Sequence, residues 1–141
     1  MLAMIDTSAW IAAFRDRTGA VRTEITKARG DMNEVFSRFV AMEILRGSNS
    51  EADWARYEDY LAGQTYVDFE KDDWAASARL YVDCRRAGHT VRSTIDCCIA
   101  HQAIRHDLLL IHNDKDYEHI ARVAPLRQVR LKISRQKAQR R

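Results

Sequence analysis

The run Leu108-Leu109-Leu110-Ile111 restricts the fold more than any other segment. Four consecutive large aliphatic side chains leave no face for water. A strand made of them has to be covered on both sides, as in a parallel sheet sandwiched between helices. The run ends at His112-Asn113-Asp114, where polar residues take over. The start of the chain has the same shape: apolar Met1 to Ile5, then Asp6-Thr7-Ser8, a cluster that suits the beginning of a helix.

Helical and extended segments alternate between these two runs. Ala9 to Phe14 continues as a helix, and Val21 to Arg29 reads as a second, closed near Gly30. Glu34 to Phe39 is a strand candidate leading into a helix from Met42 to Arg46 that stops at Gly47. Glu51 to Leu61 places Trp54, Tyr57, Tyr60 and Leu61 at helical spacing. Core packing is the expected role of that stripe, and a groove for a partner peptide is the alternative. Thr65 to Phe69 is extended. Asp72 to Ala87 is a longer helix with Trp74, Ala78, Tyr81 and Val82 facing inward and Gly88 as its stop. Ser93-Thr94-Ile95-Asp96 reads as a capping box opening a helix to about His106. Asp116 to Val123 is helical, and Gln128 to Ile133 alternates like an edge strand. The expected fold is therefore α/β: a three-layer sandwich with a short, mostly parallel central sheet flanked by helices.

Four acids stand where apolar segments give way to a turn or helix start: Asp6, Glu43, Asp96 and Asp114. Ligands of such sheets bind outside the carboxyl ends of the strands. Asp6 and Asp114 each follow a strand and so fall at that edge. Each acid singly has a plain structural explanation, as an N-cap, a capping-box partner or a solvated helical residue. Several carboxylates at one edge are harder to explain by capping, because like charges repel and burial disfavours the ionised form. A hard divalent cation with oxygen ligands resolves that conflict, Mg²⁺ or Mn²⁺ above all.

The order and context of these residues resemble the PIN-domain ribonucleases, most closely the VapC-type toxins of bacterial toxin–antitoxin pairs. MIDTSAWIAAF, AMEILRG, TVRSTIDCCIA and LLLIHNDKDYEHIA carry the resemblance, across residues 4 to 121. It implies a PIN-like nuclease domain over residues 1–133, followed by a basic tail at 134–141 that lies outside the family pattern. It also implies that Asp6, Glu43, Asp96 and Asp114 form the catalytic cluster, with Asp6, Asp96 and Asp114 as metal ligands. Asp116, Ser8 and Asn113 match supporting positions beside the site. The activity implied is Mg²⁺- or Mn²⁺-dependent hydrolysis of RNA phosphodiester bonds, restrained by a VapB-like cognate antitoxin; a homodimer and a cytoplasmic location are also expected. Arg46 and Arg92, close in sequence to Glu43 and Asp96, are candidates for holding the RNA backbone. A housekeeping RNA-processing nuclease, or a non-catalytic binding module, is the alternative.

Other chemistries fit less well. A phosphoacceptor receiver domain needs paired acids after its first strand, and Thr7 and Ser8 follow Asp6 instead. A haloacid-dehalogenase-like phosphatase needs an aspartate where Ser8 stands. Cys84, Cys97 and Cys98 form neither a disulfide framework nor a metal-binding spacing, and core packing in a reducing compartment is expected of them. The five histidines match no ligand motif. No apolar run is long enough to cross a membrane. The apolar start lacks a basic leader and is broken by Asp6, so it does not read as a signal sequence. The net charge of +3 arises from six basic residues between Arg130 and Arg141; the rest of the chain is net acidic. Such an end can contact a nucleic-acid backbone or simply be solvated.

Overall fold

The computed structural model describes residues 1–133; the expected basic tail at 134–141 lies outside the described residues. Four parallel strands form the main sheet in the order β2-β1-β5-β6. They are β1 (Leu2–Ile5), β2 (Asn33–Glu34), β5 (Leu108–His112) and β6 (Gln128–Arg130). The central pair aligns Leu2 with Leu108 and Ile5 with Ile111. A second, two-stranded parallel sheet joins β3 (Phe36–Ser37) to β4 (Tyr66–Val67). Seven helices surround them among the described residues: α1 (Thr7–Arg15), α2 (Ala20–Arg29), α3 (Arg38–Arg46), α4 (Glu51–Ala62), α5 (Asp73–Arg86), α6 (Thr94–Arg105) and α7 (Lys115–Ala121).

Strand periodicity divides the core into two layers. Met4, Leu108 and Leu110 pack with α5, α6 and α7 through Cys84, Cys97, Ile99, Tyr117 and Ile120. Ala3, Ile5 and Ile111 point the other way, against Ala9, Ala13 and Val21 of α1 and α2. The aliphatic run is thus covered on both faces, as its composition requires. All three cysteines are free thiols buried in this core, and burial pushes the Cys97 thiol up to about 12.

Three local expectations are corrected. The extended segment at 34–39 divides into β2 and β3, and α3 starts earlier than Met42, because the Ser37 hydroxyl accepts from the Phe39 N–H at 3.1 Å and opens the helix there. Helix α5 is rotated from its expected phase: Asp73, Ser77, Leu80 and Cys84 face inward, while Trp74 is 60% exposed and Ala78 is exposed. An ionic clamp sets that phase. The buried Asp73 carboxylate accepts from Arg105 Nη1 at 2.6 Å and from the Glu70 N–H at 2.6 Å, and pairs with His101 Nε2 at 2.7 Å. Burial opposes its ionisation, yet these partners prevail and hold the carboxyl down at about 2. Trp74 instead rests edge-on against Phe69 and Phe39. Finally, the stripe on α4 is mostly outside the core. Leu61 is buried, Tyr57 is half-buried, and Trp54 and Tyr60 are exposed.

Candidate active site

Because β1 and β5 run parallel and side by side, both deliver their following residues to one edge. Asp6 there caps α1, with Oδ2 accepting from the Ser8 N–H at 2.9 Å and the Ser8 hydroxyl at 2.6 Å. Asp114 caps α7, with Oδ1 accepting from the Asp116 N–H at 3.0 Å. The capping and the site readings are therefore both true of these residues: the cap fixes the carboxylate at the strand's end. The Ser8 hydroxyl also accepts from the Asn113 N–H at 2.9 Å, tying the two strand ends together. Asn113 enters this link through its backbone.

The other two acids come from helices. Glu43, half-buried on α3, accepts from the Thr7 hydroxyl at 2.9 Å. Asp96 lies in the first turn of α6, but the expected capping box does not form. Ser93 accepts from the Ile95 N–H at 3.1 Å, and the Asp96 carboxylate turns instead toward the Tyr117 hydroxyl at 3.4 Å. Asp6, Glu43, Asp96 and Asp114 line one cleft of about 330 Å³, together with Thr7, Ser8 and Arg46. Carboxylate oxygens of Asp96, Asp114 and Asp116 lie within 4.8 Å of one another. Asp116, expected as a supporting acid, thus shares this cluster with Asp96 and Asp114. Asp6 lines the same cleft, and both of its oxygens are already engaged by neighbours.

Electrostatics agree with this crowding. Burial, then the charges of Asp6, Asp114, Glu43 and Asp116, pushes the Asp96 carboxyl up to about 7. Burial also raises Glu43, against the lowering bond from Thr7. A cluster that resists full ionisation alone, with three oxygen donors a few ångströms apart, fits a hard divalent cation.

Two residues add to the picture drawn from sequence. Tyr117 is fully buried, and its hydroxyl donates to Asp6 Oδ1 at 2.8 Å. With the contact to Asp96, it spans two of the acids from beneath. Its sequence signal is position: it follows Asp114 by three residues and so shares a helical face with it. Arg92 donates from Nη2 to Asp114 Oδ1 and from Nε to Asp116 Oδ2, each at 3.1 Å. It straps the β5–α7 edge while its side chain stays 68% exposed. Arg46 lines the cleft wall, where its charge favours the ionised form of Glu43. Three other histidines have structural partners: His112 pairs with Gln128 at 2.6 Å, and His89 with His119 at 3.0 Å.

The PIN domain family model matches residues 3–123. Ribonuclease VapC11 of Mycobacterium tuberculosis is 37% identical over 129 residues, covering 87% of this chain and 94% of that protein. The VapC ribonuclease Mb1587 of Mycobacterium bovis matches to the same extent, 37% over 129 residues. The fold is also that of solved structures. A chain in the crystal structure of VapBC2 from Rickettsia felis, bound to a DNA fragment from their promoter, superposes with a TM-score of 0.72 at 17% identity, over 92% of this chain and 98% of that one. A chain of VapBC-1 from nontypeable Haemophilus influenzae gives 0.72 at 19% identity with the same coverage, 92% and 98%.

Proposed function

We propose a function from one premise: the chain belongs to the PIN-domain family, in its VapC branch. It is an endoribonuclease dependent on Mg²⁺ or Mn²⁺, acting as the toxin of a toxin–antitoxin pair. The observation that carries this reading is the convergence of Asp6, Glu43, Asp96 and Asp114 in one cleft at the carboxyl edge of the sheet. Relatives named as ribonucleases support it.

Asp6, Asp96 and Asp114 would hold the ion, with Asp116 as a further acid beside them. Such an ion supplies counter-charge to a phosphodiester and a water acidic enough to attack it near neutral pH. Tyr117 and Ser8 keep the Asp6 carboxylate in one orientation, since each donates to a different oxygen. Glu43, fixed by Thr7 and pushed toward higher pKa by burial, orients the nucleophile. Arg46 reaches the RNA backbone from the cleft wall. Arg92, bonded to Asp114 and Asp116, holds those acids in place and presents its exposed guanidinium to a phosphate.

The reading also assigns a cytoplasmic location, a homodimer and a VapB-like antitoxin. Among the described residues no helix is long and apolar enough to cross a membrane. The antitoxin's surface is the groove of about 710 Å³ between α3 and α4, lined by Met42, Leu45, Trp54 and Leu61. Met42 is 54% exposed and Trp54 42%, large apolar areas on which an amphipathic helix can dock.

Asp6→Asn and Asp96→Asn test the nuclease reading. Each keeps the side chain's shape and is expected to abolish Mg²⁺-dependent RNA cleavage while circular dichroism remains native. Cleavage at the wild-type rate by either folded variant refutes it. Expression alone should arrest growth, and co-expression of the adjacent small gene product should relieve the arrest. Trp54→Ala should weaken that relief. Purified protein that cuts RNA without arresting growth would instead mark a housekeeping nuclease.

A further inference from the structure

The acidic cleft is half of a longer surface. Along α1, Asp6, Trp10 and Phe14 recur every four residues and so lie on one side of the helix. Phe14 stands about 12 Å up the axis from Asp6 at 1.5 Å per residue, a span of a few nucleotides. The Phe14 ring is 50% exposed and faces Tyr57 of α4 nearly parallel, with 6.4 Å between centroids and 13° between planes. Trp10, Phe14 and Tyr57 line the acidic cleft and also a second cleft of about 450 Å³ on the far side.

That second cleft has the opposite charge. Arg22, Arg29 and Arg56 line it against one acid, Glu34. Arg22 is exposed, and Arg56 sits over the Tyr57 ring at 5.4 Å while pairing outward with Asp53. Two donors at this wall, Trp10 Nε1 and Arg29 Nε, are closed off from water with no acceptor, and Glu34 Oε2 is equally without a partner. Aromatic faces beside arginines suit a single nucleic-acid strand. Bases stack on the rings without regard to sequence, and phosphates meet the guanidinium groups.

Resting on the nuclease reading, we infer that this surface is the track of the RNA strand next to the cut: its phosphodiester lies at the acids, a neighbouring base stacks on the Phe14–Tyr57 wall, and the following phosphates lie in the cleft of Arg22, Arg29 and Arg56. The acid at the cut and the cations beyond it give the strand a fixed place along α1. They also demand a single strand, because only unpaired bases can reach the rings.

The test measures binding of a short, fluorescein-labelled, mixed-sequence single-stranded RNA by anisotropy. It uses protein carrying Asp96→Asn, so that the probe stays uncut. On that background, Arg22→Glu with Arg56→Glu should weaken binding about tenfold and flatten its salt dependence. Phe14→Leu should weaken it about tenfold as well. Leucine keeps apolar bulk at a half-exposed position and both arginines are exposed, so unaltered melting temperatures are expected. The same strand in a duplex should bind wild type and variants alike. Equal affinity of all variants for the single strand overturns the track, and wild-type cleavage of RNA in parallel shows that the nuclease reading survives it. Weakened binding by these variants supports the track even if wild-type protein cuts nothing, in which case the nuclease reading alone falls. Variants that bind the single strand as tightly as the Asp96→Asn parent but no longer bind the antitoxin assign the face to a protein partner and overturn the proposal.

Discussion

Asp96→Asn should make the metal-free protein more stable above neutral pH, although it removes a residue of the site. The unfolded chain releases its Asp96 proton near 3.8, and the folded chain near 7. Between these values the unfolded state holds fewer protons, so stability falls as pH rises. Below about pH 4 both states are protonated and above about pH 7 both are ionised, so the effect is confined to that window. At 1.36 kcal/mol per pKa unit, ionised Asp96 costs the apo fold about 4 kcal/mol above pH 7, of which about 2 kcal/mol appears between pH 5 and pH 7. Asparagine carries no charge and escapes this loss. The stability difference between wild type and Asp96→Asn should therefore grow by about 3 kcal/mol from pH 5 to pH 8. For a chain of this size that corresponds to roughly 10 °C in Tm. Urea denaturation followed by circular dichroism in chelator, at both pH values, reads the difference directly. Millimolar Mg²⁺ at pH 8 should restore most of the loss in wild type and little in the variant. A wild type no less stable than Asp96→Asn at pH 8 without metal would refute the electrostatic reasoning, because neither burial nor the four neighbouring acids would then penalise the ionised Asp96.

Tyr117→Phe keeps the buried ring but leaves Asp6 Oδ1 without its donor; stability should drop by about 1–2 kcal/mol. Cleavage should slow with KM nearly unchanged, as steady-state kinetics on an oligonucleotide would show. Asp73→Asn breaks an ionic clamp between α5 and α6 that is buried at its carboxylate; it should cost about 3 kcal/mol in urea titration. Because the Asp73 carboxyl is held down at about 2, its contribution should be full above pH 4 and disappear as pH falls from 3.8 toward 2, a loss that Asp73→Asn would not show.

The two strand–acid junctions were legible because parallel strands place their carboxyl ends together whatever lies between them. Asp6 and Asp114 therefore emerge from pattern alone. Glu43 and Asp96 needed family context, since each sits in a helix whose azimuth no local rule sets. The nearness of Asp116 to Asp96 and Asp114 has no sequence signal of its own, because an acid at a helix start reads equally as a cap. The phase of α5 departs from its sequence expectation for a related reason. Apolar periodicity assigned Trp74 to the core, whereas a charged residue, Asp73, holds the inward position through partners 28 and 32 residues away. Pairings of that range leave no trace in a local window. Tyr117 escaped notice because a buried tyrosine looks like ordinary core until its hydroxyl finds the carboxylates.

The pairing of β1 with β5 joins Leu2 to Leu108 across most of the chain. During synthesis, which proceeds at about 5–20 residues per second, the first strand emerges long before its neighbour exists. A nascent chain ending before Leu108 already contains Asp6, Glu43 and Asp96, yet lacks β5, the strand whose pairing with β1 forms the edge where the acids meet. The acidic cleft is thus completed late, when β5 docks and Asp114, Asp116 and Tyr117 follow it into place. Frameshifted or prematurely terminated products carry most of the residues of the site and none of its geometry.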